Sequence, residues 1–189
     1  MKSTKLKFPE VLLLEPEIFE DERGFFYEFF NQNKFEKATG KKIYFVQDNF
    51  SRSKKNTLRG MHYQLPPMAQ GKLVSVLQGE IFDVVVDLRI SSKTFGDYIC
   101  QKLNSVTKQQ LWVPEGFAHG FLVTSDFAEV MYKTTNFYSP NYERSIIWSD
   151  PDLFINWPNH NNVLLSDILL SDKDKKASSF VNADCFSQP

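Results

Sequence analysis

The feature that most constrains this chain is a succession of short apolar segments, each closed within a few positions by Gly, Pro, Asn, Asp or Ser. Lys72 to Leu77, Ile81 to Leu88, Tyr98 to Leu103, Gln109 to Val113, Gly120 to Thr124 and Ala128 to Thr135 all have this form. They are too closely spaced for crossover helices, so the pattern predicts an all-β chain built as a sandwich or jelly-roll barrel. Gly79, between the first two segments, predicts a hairpin. In the second segment Phe82, Val84, Val86 and Leu88 share one face, and Asp83, Val85 and Asp87 the other. This predicts a half-buried strand with its aspartates in solvent.

Residues 8 to 20 read as an extended arm, broken by Pro9 and Pro16 and carrying a strand from Val11 to Leu14. Asp21 to Gly24 forms a turn, and Phe25 to Phe30 an aromatic strand carrying Glu28. Glu28 lies at an exposed edge or is held by a cation, with Arg23 a candidate. Asn31 to Gly40 is the best helix candidate, with a cap at Asn31 and a stop at Gly40. A strand is expected from Lys42 to Asn49, then a polar loop from Ser51 to Asn56. From Tyr138 the chain becomes loop-like, punctuated by Pro140, Pro151 and Pro158-Asn159, with Trp148 and Trp157 as packing anchors. Residues 1–174 are expected to form a single domain and 175–189 a polar, mobile tail.

At 189 residues, 42% apolar and 15% aromatic, the chain can fold as one domain. Its 22 basic and 23 acidic residues give a net charge of -1 without a long run of either sign, which argues against nucleic acid or an acidic membrane as partner. Cys100 and Cys185 read as reduced thiols. With neither a signal peptide nor a membrane-length apolar run in view, a cytoplasmic location is expected.

The chemistry concentrates in Thr57 to Gln78, which gathers Arg59, His62 and Lys72 beside Gly60 and Gly71. Lys72 shares a strand face with Val74 and Val76. It either points inward toward something negative or snorkels to solvent from the strand's start. Arg59 and His62 differ in strand parity, so both reach one pocket only if the chain bulges, for which Gly60 is the obvious place. Tyr132 shares a face with Ala128 and Val130, as a core tyrosine or a functional one. The three histidines are His62, His119 and His160, the last reading as a solvated loop residue. No His-x-His pair marks a metal site, and His62 with His119 and Glu80 or Glu115 is a weak ligand set. Nucleophile elbow, phosphate loop and dinucleotide fingerprint are all missing. A base, an acid and fixed cations remain, a set suited to removing a proton beside a carbonyl.

Asp21-Glu22-Arg23-Gly24, Gln47-Asp48-Asn49, Leu58 to Gln64, Gln70 to Val74, Gly79 to Val84 and Pro114 to Phe121 together resemble the dTDP-4-dehydrorhamnose 3,5-epimerase family. The resemblance runs from about Val11 to Asp174. It implies a cupin-type jelly-roll barrel with a few short peripheral helices, a homodimer, no cofactor and no metal. The implied substrate is a dTDP-linked 4-keto-6-deoxy sugar on the way to dTDP-L-rhamnose, inverted at C3 and C5; a relative inverting one centre, or a silent sugar-nucleotide binder, is the alternative. The family pattern makes His62 the general base with Asp174 as its partner, sets Lys72 against the C4 ketone oxygen, and makes Tyr132 the proton donor. Substrate-binding positions fall on Arg23, Glu28, Gln47, Asp48, Asn49, Arg59, His119, Glu143 and Lys173, and Tyr138 stacks on the thymine. The chain departs from the pattern at Ser75, where a basic residue is common, and at Phe154, where glycine is usual. The interval from Trp157 to Asp174 is long, which leaves Asp167 and Asp172 as rivals to Asp174.

Overall fold

The computed structural model describes residues 1–158 and 167–187. Its first part holds β1 (Lys2–Lys5), β2 (Leu12–Glu15), β3 (Ile18–Asp21), β4 (Gly24–Tyr27) and helix α1 (Gln32–Thr39). The central part holds β5 (Gln47–Lys54), β6 (Leu58–Gln64), β7 (Lys72–Gln78), β8 (Glu80–Asp87) and β9 (Tyr98–Asn104). The rest holds β10 (Gln110–Val113), β11 (Phe117–Val123), β12 (Phe127–Thr134), β13 (Glu143–Ser145) and the short α2 (Asp172–Lys175). Strands β1-β2-β10-β7-β12-β5 make one sheet, β13-β6-β11-β8-β9 a second, and β3-β4 a separate hairpin. The two larger sheets face each other as the jelly roll expected from the strand spacing. Among the described residues no helix is long and apolar enough to cross a membrane.

Three apolar layers follow from side-chain alternation. Val74 and Val76 of β7, Val85 of β8, Leu111 of β10, Phe117 and Phe121 of β11 and Val130 of β12 fill the space between the sheets. Val84 and Val86, on the other face of β8, and Leu88 just past its end pack outward under Trp148, Leu153, Trp157 and Phe186. Leu12, Leu14, Leu73 and Trp112 are covered by Phe35 of α1. Each such side chain taken fully out of water contributes about 1.5–3 kcal/mol. The helix is bounded as its sequence predicts. Asn31 accepts a hydrogen bond from the Lys34 N–H at 3.1 Å, and Gly40 ends the helix in the left-handed region at φ 69°.

Several expectations are corrected. Gly79 (φ 79°) carries the chain from one sheet to the other, since β7 pairs with β10 and β12 while β8 pairs with β9 and β11, so it closes no hairpin. β8 is buried on both faces. Asp83 pairs with His119 at 2.8 Å inside the barrel, and Asp87 accepts hydrogen bonds from Arg89, Ser92 and Thr94. A buried carboxylate is tolerable on those terms only. Glu28 is held by Lys34 and Asn31, while Arg23 pairs with Asp21. The stretch 43–46 is irregular, and β5 runs through the expected loop to Lys54.

In place of a loose tail, residues 175–187 pack against the barrel. Ser178 bridges to Ile146, Phe186 to Arg89, and the Tyr63 hydroxyl donates to the Asp184 carbonyl at 2.7 Å. Trp148 and Trp157 are buried as expected, the Trp157 indole donating to the Trp148 carbonyl at 2.9 Å. Asn159 and His160 lie outside the described residues. Phe154 adopts φ 46° and is 84% exposed, a conformation that suits the family's usual glycine. Phe154→Gly is therefore expected to stabilise the fold by about 1 kcal/mol, raising the melting temperature by about 2–4 °C; an unchanged or lower melting temperature would contradict this.

Candidate active site

Gly60 permits the local geometry on which the site depends. Opposite the two steps from His119 to Phe121 on β11, β6 takes three, from His62 to Arg59, so one extra residue is bulged out. A Cβ on Gly60 would stand 2.5 Å from the Gly120 Cα, so the strands approach this closely only without a side chain there. The bulge lets Arg59 and His62 both face the barrel interior despite their odd spacing. Arg59 donates to Ser53 of the opposing sheet at 2.9 Å.

A cavity of about 200 Å³ opens between the sheets, lined in part by Gln47, Asn49, His62, Lys72, Tyr132, Tyr138 and Glu143. His62 stands on the five-stranded sheet, and Tyr132 on the six-stranded sheet opposite it, beside Asn49 of β5 and Val74 of β7. Lys72 begins β7 with its side chain buried inward, its ammonium donating to the His62 carbonyl at 3.1 Å. A wider hollow of about 690 Å³, between α1 and Pro114, is lined by Lys42, Tyr44 and Trp112 and holds no histidine. The smaller cavity is the chemical one.

Asp174 resolves the choice among three aspartates. It is buried, with Oδ1 2.5 Å from His62 Nε2, whereas Asp172 is exposed beside Lys175 and Asp167 is exposed. A carboxylate only accepts, so a neutral His62 carries its proton on Nε2 and leaves Nδ1 free as a base. Burial lowers the His62 pKa despite the pull of Asp174, which favours that neutral form. Burial works against an ionised Asp174, but hydrogen bonds from His62 and Ser171 outweigh it and hold its pKa below the usual carboxylate value. Desolvation lowers Lys72 to about 8, with Glu143 and Asp83 resisting. Burial also raises the Tyr132 pKa, against the nearby Arg59, so the phenol keeps its proton.

The mouth is built by Tyr138, whose hydroxyl donates to Glu143 at 2.8 Å, and by Lys173, which pairs with the same carboxylate. Those two hydrogen bonds overcome the burial of Glu143 and keep its pKa low. Gln47 accepts from the Tyr138 N–H at 3.0 Å and donates to Asn49 at 2.8 Å. His119 lies directly across from His62 in the β6–β11 pairing. Six expected binding residues do not line the cavity. Arg59, near Tyr132, His119, across from His62, and Lys173, paired with Glu143, adjoin its lining. Arg23 and Glu28 sit on and beside the β3-β4 hairpin, and Asp48 points to the other face of β5, where it pairs with Lys133 at 2.8 Å.

Two positions escaped the sequence reading. Gln64 receives the Ser139 N–H at 2.8 Å and donates to the Phe137 carbonyl at 3.1 Å, so it holds the turn that carries Tyr138; a lone glutamine gives no signal of this. Asp83 did give one, because it shares its strand face with Val85. Among the described residues, no three His, Cys, Asp or Glu side chains gather closely enough to hold a metal ion.

The family model described as dTDP-4-dehydrorhamnose 3,5-epimerase matches residues 5–182. The chain belongs to this family. A dTDP-4-dehydrorhamnose 3,5-epimerase from Shigella flexneri is 56% identical to it over 186 residues, 98% of this chain and 99% of that protein. The fold superposes with a TM-score of 0.92 on a dTDP-6-deoxy-D-glucose-3,5-epimerase from Legionella pneumophila Philadelphia 1, solved in complex with dTDP-4-keto-L-rhamnose. That structure is 45% identical, with 100% of this chain and 98% of that one covered. A 3'-monoepimerase from Streptomyces bikiniensis, solved in complex with dTDP-quinovose, matches with a TM-score of 0.85 at 33% identity over 92% of this chain and 85% of that one. The cupin-type jelly roll is thus the fold of an epimerase family, and the chain is an epimerase.

Proposed function

We propose that this chain inverts C3 and C5 of dTDP-4-dehydro-6-deoxy-D-glucose to give dTDP-4-dehydro-L-rhamnose, without a cofactor. The observation that carries this reading is the placement of His62 and Tyr132 on opposing walls of one cavity, with Lys72 beside them. His62 Nδ1 takes the proton from the carbon next to the C4 ketone, and the C–H electron pair moves to the ketone oxygen. The Lys72 ammonium stabilises that enolate oxygen in a site that water does not screen. Tyr132 then gives its hydroxyl proton to the opposite face of the carbon, and the centre inverts. The same steps at the other carbon complete the reaction. Tyr138 stacks on the thymine, and Arg59 and Lys173 meet the diphosphate.

The test is the configuration of the product, read by NMR after purified chain is incubated with dTDP-4-dehydro-6-deoxy-D-glucose. Inversion at both C3 and C5 is expected, and unchanged sugar would overturn the reading. Inversion at one carbon would instead assign the chain to the single-centre activity named for the Streptomyces bikiniensis relative.

Lys72 makes the reaction sensitive to alkali. Its ammonium is charged below about pH 8 and neutral above it, so kcat should fall as pH rises through that range. Lys72→Arg remains charged and should lose this alkaline limb, at a lower plateau because the guanidinium has a different shape. Full activity of the unmodified chain to pH 10 would contradict the assignment.

The β3-β4 hairpin bears on assembly. Phe19, Phe25 and Phe26 stand exposed on it, and Arg23 and Glu28 sit away from the cavity of their own chain. We take the hairpin to cross to a second copy and deliver Arg23 or Glu28 to its site, making the active form a homodimer. Sedimentation should show a dimer; a fully active monomer would contradict it.

A further inference from the structure

We infer that Ser171 is a positioning residue for the epimerisation, holding Asp174 so that Asp174 in turn holds His62; this rests on the reading of His62 as the base. The two oxygens of the Asp174 carboxylate have separate partners. Oδ1 lies 2.5 Å from His62 Nε2, and Oδ2 accepts a hydrogen bond from Ser171 Oγ at 2.8 Å. The same Oγ lies 3.1 Å from the Asp174 backbone nitrogen. An N–H can only donate, so the serine oxygen accepts there, and its single proton is left for the carboxylate. Ser171 therefore grips Asp174 by main chain and side chain at once. The carboxyl torsion, otherwise broad and two-fold, is confined to one orientation.

The segment is anchored independently of this serine. Leu169 bridges to Thr57 just before β6, and Ser178 bridges to Ile146 just past β13, one on each side of α2. Losing the hydroxyl thus leaves the segment docked and frees the carboxyl alone. The buried Asp174 would then turn away from His62 for part of the time. The imidazole would be less well oriented, and its protonated form would lose part of the hydrogen bond that favours it.

Ser171→Ala, Ser171→Thr and Ser171→Gly test this in the full chain. Ser171→Ala should lower kcat about tenfold, the cost of one hydrogen bond to a charged group, and leave KM within about twofold. The acid limb of its kcat/KM profile should move to lower pH, because His62 is protonated less readily once Asp174 is loosely held. Ser171→Thr keeps donor and acceptor and should restore both. Ser171→Gly is tolerated at the cap of α2 but cannot donate to the carboxylate, and should remain impaired even if Ser171→Ala does not fold. An NMR titration of the histidine rings provides a readout that needs no turnover, in which the His62 midpoint should fall in Ser171→Gly or Ser171→Ala relative to Ser171→Thr. Unchanged kcat and acid limb in the variants that cannot donate, or an unmoved His62 midpoint, would overturn the inference. If the unmodified chain did not epimerise the sugar nucleotide, the functional reading would fail by itself, and the titration would still decide whether Ser171 governs His62.

Discussion

His62→Asn should abolish both epimerised product and solvent exchange at C3 and C5, with a rate loss on the order of 10² to 10⁴. The size of the loss follows from the order of events. No enolate forms until the proton leaves, so Lys72 has nothing to stabilise and Tyr132 has no carbanion to protonate. Glutamine at the same position is the companion control, because its amide nitrogen reaches the place of Nε2 and can still donate to Asp174, whose buried carboxylate would otherwise lose its principal partner. Melting temperature should therefore stay near that of the parent in His62→Gln while activity disappears. If His62→Asn turned over at near the parent rate, the base would lie elsewhere.

Tyr132→Phe should separate exchange from inversion. The substitution removes a hydroxyl and leaves the ring that packs against the barrel interior beside Val130 and Val74. His62 can still lift the proton, exchange it with solvent and return a deuteron to the face it came from. The substrate should then become labelled without changing configuration, while product formation falls on the order of 10² to 10⁴. Normal epimerisation by this variant would mean that the far-face donor is another group, with an ordered water the first alternative to examine.

What could be read in the sequence was local periodicity and the oddities within it. Alternation through Lys72, Val74 and Val76 left the lysine either inward or snorkelling to solvent, and the structure turns it inward; the three-residue interval from Arg59 to His62 required a bulge, and it is found at Gly60. Asn31 and Gly40 bounded α1 because capping is a matter of neighbouring atoms. Pairing between distant strands was less visible. Lys72 to Leu77 and Ile81 to Leu88 look like the arms of a hairpin, yet Gly79 sends them into different sheets, a choice made by partners tens of residues away.

Burial of charge was hidden for the same reason. Asp83 looks solvent-facing until His119, 36 residues away, is brought to it, while Asp87 is satisfied by Arg89, Ser92 and Thr94 in the turn that follows it. Ser51 and Ser53 read as loop because they are polar, although small side chains suit the inner face of an edge strand, and Ser53 there receives Arg59. The C-terminal stretch carries little periodicity, and it is held by single long-range contacts such as Tyr63 with Asp184. Asp174 was named only through resemblance. Its burial and its reach to His62 distinguish it from Asp172 two residues earlier.

The central claim is that a base on one sheet and an acid on the other act in turn on the carbons beside a ketone. The most direct measurement is incubation of the purified chain with dTDP-4-dehydro-6-deoxy-D-glucose in deuterium oxide, with label position and configuration read together by NMR and mass spectrometry. The account predicts one deuteron at C3 and one at C5 of the inverted product, each delivered to the face opposite the proton removed. Inverted product without deuterium at those carbons, or no label in any sugar recovered, would contradict it.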